Sequence, residues 1–155
     1  MADLDHRFMT PPSLRIVDQR AGAAGDQVFV WDLRIAQPNV SHVAMPVVHS
    51  LEHFLGSYLK DSSPAIVAVA PMGCQTGLYI VAINIGTFED MAALLERGLA
   101  SVAEAADVPL ANVLQCGWAQ NHSLAGVQEL AAWLLRNRSG WAEPGPEAAE
   151  IRAPI

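Results

Sequence analysis

Cysteine is scarce in this chain: Cys74 and Cys116 are the only two among 155 residues. That excludes a disulfide-dense secreted scaffold, and a chain of this length need not depend on the single bridge two cysteines allow. No Cys-x-x-Cys pair occurs, which argues against a paired-thiol redox motif. Positive charge is short as well, with nine basic against 16 acidic residues and a formal charge of −7. This balance disfavours nucleic acid as the main partner, since phosphate binding needs concentrated positive charge. It leaves room for an anionic small molecule, because one local Lys or Arg outweighs a remote field. No apolar run approaches the roughly 20 residues of a membrane helix. The opening Met-Ala-Asp-Leu-Asp-His-Arg lacks the basic-then-apolar order of a secretory leader. The expectation is a soluble protein of a reducing cytoplasm, whose thiols remain available for metal ligation or catalysis.

What is present is apolar sequence. Hydrophobic residues make up 52% of the chain, far above a disordered composition and enough for one compact core. Residues 1–25 read as an irregular arm, broken by Pro11-Pro12 and by the turn-like Ala21–Gly25 stretch. Gln27 to Ile35 is rich in β-branched and aromatic residues and predicts a strand. Phe29, Trp31, Leu33 and Ile35 share one face of it, with Asp32 and Arg34 on the other. Pro46 suits the start of a helix to about Tyr58, anchored by Leu51, Phe54 and Leu55. Ala65–Pro71 and Leu78–Ile85 predict two strands joined by the segment from Met72 to Gly77. Thr87 is a candidate N-cap for a helix carrying Met91, Leu94, Leu95, Leu99 and Val102 on its core face. A further strand is expected over Val108–Leu114, and a last helix from about Leu124 to Arg136. The expected fold class is α+β, a compact single layer of mainly antiparallel sheet packed by helices. The division is one catalytic domain with an N-terminal arm over 1–139 and a loose Pro/Gly/Glu-containing tail over 140–155.

The chemistry concentrates in His49-Ser50-Leu51-Glu52-His53. Residues four apart share a helix face, so the two imidazoles can grip one metal ion with Glu52 beside them. His2Cys with an open position suits a catalytic metal, with Cys116 or Cys74 as third ligand; spacing does not choose between them. A cysteine left outside the ligand set but near the metal can instead move protons. His-x-x-Glu-His also occurs in inverted zinc peptidases, for which Glu89, Asp90 and Glu96 are candidate acidic ligands. A closed structural zinc site is another reading, with His122 as its fourth ligand. Gly73 and Gly77 around Cys74, and Gly117 beside Cys116, let the backbone approach a ligand closely.

Four ordered segments carry a family resemblance: Trp31-Asp32-Leu33-Arg34 with Gln37-Pro38-Asn39, His49 to His53, Pro71 to Gly77, and Gln115-Cys116-Gly117. From about Leu4 to Trp133 the chain resembles the S-ribosylhomocysteine lyases, the LuxS family of autoinducer synthesis. The resemblance implies a LuxS-like metalloenzyme fold and a homodimer with shared active sites. It makes His49, His53 and Cys116 the metal ligands, and Cys74 and Glu52 the acid–base residues. It implies one divalent ion per subunit, Fe2+ in cells, with Zn2+ or Co2+ able to substitute. His6 and Arg34 are similar to substrate-pocket residues contributed across the dimer interface. The implied reaction cleaves a small thioether sugar, with neither nucleic acid nor membrane as partner.

The departures from the family pattern fall on substrate recognition. Ala68 stands six positions before Cys74, where the family usually has an acid for the amino group. Lys60 replaces an arginine that commonly receives the carboxylate, keeping charge but losing the bidentate fork. Met1 takes approximately the place of a polar pocket residue, and Asn121-His122-Ser123 stands where an acid often follows the histidine.

Overall fold

A computed structural model describes residues 3–148 and 150–151; Met1 lies outside the described residues. The elements run β1 (Asp3–Leu4), β2 (Ser13–Ala21), β3 (Gln27–Arg34), α1 (Met45–Ser62), β4 (Ile66–Pro71), β5 (Gly77–Ile83), α2 (Phe88–Ala103), α3 (Leu124–Arg136) and β6 (Glu150–Ile151). Short 3-10 turns lie at His6–Phe8 and Arg138–Gly140. The main sheet has strand order β2-β3-β5-β4, antiparallel throughout, and β1 pairs with β6 in a separate ribbon. Three helices pack with this sheet, so the α+β layer expected from the sequence is the fold.

Alternation along β3 and β5 builds the core face. Phe29, Trp31 and Leu33 meet Leu78, Ile80 and Ala82, all buried, and Leu51, Leu55 and Leu59 of α1 are fully enclosed with them. Each of the Leu, Ile and Phe side chains among them contributes roughly 1.5–3 kcal/mol of burial. The other face of β3 is buried too. Asp32 and Arg34 are 1% and 3% exposed and pair at 2.6 Å, with Arg15 of β2 a further 3.6 Å ion-pair partner of Asp32.

Pro46 occupies the first turn of α1, where its missing N–H costs nothing. The helix continues past Tyr58 because Leu59 extends the buried stripe by another turn. Thr87 caps α2 as expected, accepting from the Asp90 N–H, and Ser123 caps α3 by accepting from the Gly126 N–H. A side chain at Gly126 would meet Val47 at 2.6 Å, so α3 lies hard against α1 there.

Three expectations are corrected. The arm over 1–25 contains β2, nine residues paired along β3 through a tight turn at Gly22–Gly25. Its outer end, Asp18-Gln19-Arg20, is polar because β2 is an edge strand, and charge there hides the alternation. Val108–Leu114 forms turns, not a strand. The Asn112 side chain binds the Leu114 N–H and the Gln115 amide locally, and Val113 and Leu114 are exposed. Trp141 belongs to the core rather than to a loose tail: it is fully buried and its indole N–H donates to the Leu134 carbonyl at 3.1 Å.

Candidate metal centre and thiol pocket

Helix α1 presents His49 and His53 on one flank of its apolar stripe, and the segment leading into α3 brings Cys116 and His122 against them. The ligand atoms of these four residues all lie within 4.8 Å of one another. Each imidazole is fixed by an outward hydrogen bond. His49 Nδ1 lies 2.9 Å from the Asn121 carbonyl and His53 Nδ1 lies 2.7 Å from the Pro109 carbonyl. A carbonyl only accepts, so both Nδ1 atoms carry the proton and both Nε2 lone pairs face inward.

His122 is held the same way by a less obvious partner. Ser50 Oγ gives its one proton to the Pro46 carbonyl at 2.7 Å and accepts the Ser123 N–H at 2.9 Å. His122 Nδ1, at 3.2 Å, is therefore a second donor to that oxygen, which leaves its Nε2 bare. Burial, followed by the neighbouring His49 and His53, pushes the His122 pKa below its ordinary value and keeps that lone pair free. The Trp118 N–H points at Cys116 Sγ from 3.4 Å.

These residues fit a divalent ion. Tetrahedral zinc with bonds of about 2.3 Å to sulfur and 2.05 Å to nitrogen has an N–S edge of about 3.6 Å. Cys116 Sγ lies 3.5 Å from both His49 Nε2 and His122 Nε2. Among the described residues, Glu89, Asp90 and Glu96 do not join this set. Glu89 and Glu96 pair with Arg138, and Asp90 bonds Thr87. A peptidase-type acidic ligand is therefore missing from this cluster.

Glu52 and Lys60 line a cavity of about 370 Å³ together with His53 and Gln115. Cys74 lines a different one, of about 530 Å³, with His6, Arg34 and His42. One chain thus brings together His49, His53, Cys116 and His122, and sets Glu52 and Lys60 beside them. It gathers Cys74, His6 and Arg34 elsewhere. Burial raises the Cys74 pKa, but hydrogen bonds from the Thr76 hydroxyl and backbone, the Arg34 charge and the residue's own N–H outweigh it, leaving the thiol below its ordinary value.

Sequence reasoning left Ser50 and Thr76 without roles, although both stand inside motifs it singled out. Their signal is a hydroxyl one or two residues from a candidate functional side chain. Which hydrogen bond each makes depends on tertiary approach.

An antiparallel sheet packed by helices, with three imidazole lone pairs and a thiol converging on one point, defines a metal-dependent enzyme of the α+β class. A family model described as S-Ribosylhomocysteinase (LuxS) matches residues 2–144. The S-ribosylhomocysteine lyase of Oceanobacillus iheyensis is 43% identical over 91% of this chain and 92% of its own. Those of Listeria monocytogenes and Helicobacter pylori are 42% and 40% identical, each covering 90% or more of both chains. The chain belongs to the LuxS family, and it is a metal-dependent lyase.

Proposed function

We propose that this chain cleaves S-ribosylhomocysteine to homocysteine and 4,5-dihydroxy-2,3-pentanedione, whose cyclised forms serve as signals. The observation that carries the reading is the pairing of a tautomer-locked N/S donor set with a thiol whose surroundings favour the thiolate. The thioether sulfur leaves only once a carbonyl stands next to the carbon that must lose a proton. The open-chain aldose therefore shifts its carbonyl from C1 to C2 and then to C3 through enediolates, and β-elimination follows. Each shift is internal redox, so no nicotinamide is required.

Cys74 acts as the base that removes the sugar-carbon proton. Glu52 exchanges protons with the substrate oxygens and takes part in the last enolisation and elimination. His6 and Arg34 bind on the sugar side, and Lys60 meets the carboxylate of the amino-acid end as a point charge. His49, His53 and Cys116 would hold a divalent ion, with His122 as a displaceable fourth donor beside them, and that ion would supply Lewis-acid stabilisation of negative charge on the substrate oxygens. Fe2+ is the working ion in this reading, with Zn2+ or Co2+ as substitutes.

The enzyme acts as a homodimer with shared sites. Two observations support this: Cys74 lines one cavity while Glu52 and His53 line another, and Val113, Leu114 and Trp118 around Cys116 are exposed apolar residues. The catalytic unit runs past residue 139 to take in the core residue Trp141, and two free thiols suit a reducing cytoplasm. Ala68 favours a second reading, in which the same chemistry acts on a related S-ribosyl or ketose thioether.

The test is thiol release from S-ribosylhomocysteine by anaerobically purified protein loaded with iron or cobalt. Metal-dependent release that Cys74→Ala abolishes is the expected result. No release from folded, loaded protein would overturn the first reading and direct the search to the related thioethers.

A further inference from the structure

Arg34 does not hydrogen-bond the Cys74 sulfur. Its Nη1 donates to Thr76 Oγ1 at 2.7 Å, its Nη2 donates to Asp32 Oδ2 at 2.6 Å, and Thr76 Oγ1 lies 3.0 Å from Cys74 Sγ. A threonine hydroxyl has one proton to give. A lone pair of this oxygen is taken by a guanidinium that cannot accept, so the proton is free to point at the sulfur.

The oxygen is also fixed in place. Thr76 is 3% exposed, and its carbonyl accepts the Ile35 and Ala36 N–H groups at 2.9 and 3.1 Å, tying it to the end of β3. The following residue must be glycine, since a Cβ at Gly77 would lie 2.7 Å from the Leu33 carbonyl oxygen. The turn is closed by the Met72 N–H to the Gly77 carbonyl at 2.9 Å. Behind the hydroxyl stands a buried ion pair that fixes the guanidinium. Thr76 thus lies between a buried, charge-balanced cation and an accessible thiol.

We propose that Thr76 is the positioning residue of the reaction: its hydroxyl, polarised by Arg34, donates to Cys74 Sγ and holds it as the thiolate aimed into the cavity. A hydrogen bond to the charged form favours that form, and a donor whose oxygen already accepts from a cation is the stronger for it. Arg34 therefore acts on the sulfur through Thr76 in addition to acting through its charge. The other titratable groups lining this cavity are His6, from the 3-10 turn, and His42, from the segment before α1. The inference deepens the assignment of Cys74 as base and rests on it for its meaning, but not for its test.

The experiment is the pH dependence of iodoacetamide labelling at Cys74, read by peptide mass on the metal-loaded protein. Thr76→Val removes the hydroxyl at constant shape, and Thr76→Ser keeps it. The labelling midpoint is expected to rise by about one unit or more in Thr76→Val and to stay at the wild-type value in Thr76→Ser. The alkaline recovery of kcat should move with it, leaving KM unchanged. A wild-type midpoint in Thr76→Val, or equal shifts in both variants, would overturn the relay. If the valine variant does not fold, Thr76→Ala removes the hydroxyl without adding apolar bulk and is read the same way. Labelling needs no substrate, so the relay fails or stands apart from the lyase reading.

Discussion

At the metal centre, single hydroxyl and carbonyl oxygens decide which nitrogen of each histidine faces inward. Ser50 is the most exacting case, because one oxygen serves the Pro46 carbonyl, the Ser123 N–H and His122 Nδ1. Ser50→Ala leaves His122 free to take the other tautomer or turn away. Groups that orient metal-binding histidines are worth about 10–100-fold in affinity. Metal affinity measured by competition with a chromogenic chelator should fall by that order in Ser50→Ala while the helix content stays unchanged. Part of this site was legible in the sequence, because i, i+4 spacing on a helix fixes His49 and His53 relative to one another without tertiary knowledge. His122 could be named only as an optional fourth ligand. Its approach depends on the path of the loop from Cys116, which no periodicity encodes.

Elements position these residues by close backbone approach. The β4–β5 turn carries Cys74 and Thr76, and its exit at Gly77 passes under the end of β3. Gly77→Ala forces a Cβ against the Leu33 carbonyl, whose backbone cannot yield as a side-chain tip can. Overpacking of this kind costs about 1–3 kcal/mol. Denaturant unfolding of Gly77→Ala should show a loss of that size, together with slowed labelling of Cys74 as the turn shifts. The helices and β5 were legible because burial on one face writes a period of 3.6 or 2 into the chain. β3 was legible because its β-branched and aromatic residues alternate with Asp32 and Arg34, even though both faces are buried. β2 was not, since its outer half meets solvent and carries Asp18, Gln19 and Arg20. The Val108–Leu114 segment misled in the opposite sense: its apolar residues lie exposed around Cys116, and Asn112 organises the backbone into turns.

On the scale of the whole molecule, one chain holds the two halves of the chemistry in separate cavities. The proposed dimer closes this gap by presenting the Cys74 cavity of one copy to the metal centre of its partner. Cys74→Ala and His53→Ala should each be inactive alone. In a two-fold dimer, a heterodimer of the two variants rebuilds one intact site from the good half of each chain. Random reassortment of equal amounts should then restore about a quarter of the wild-type activity. Thiol release measured after unfolding and refolding the two variants together is the most direct test of the account. Recovery near that level is the predicted result. Heterodimers that form, bind metal and remain inactive would contradict the shared site.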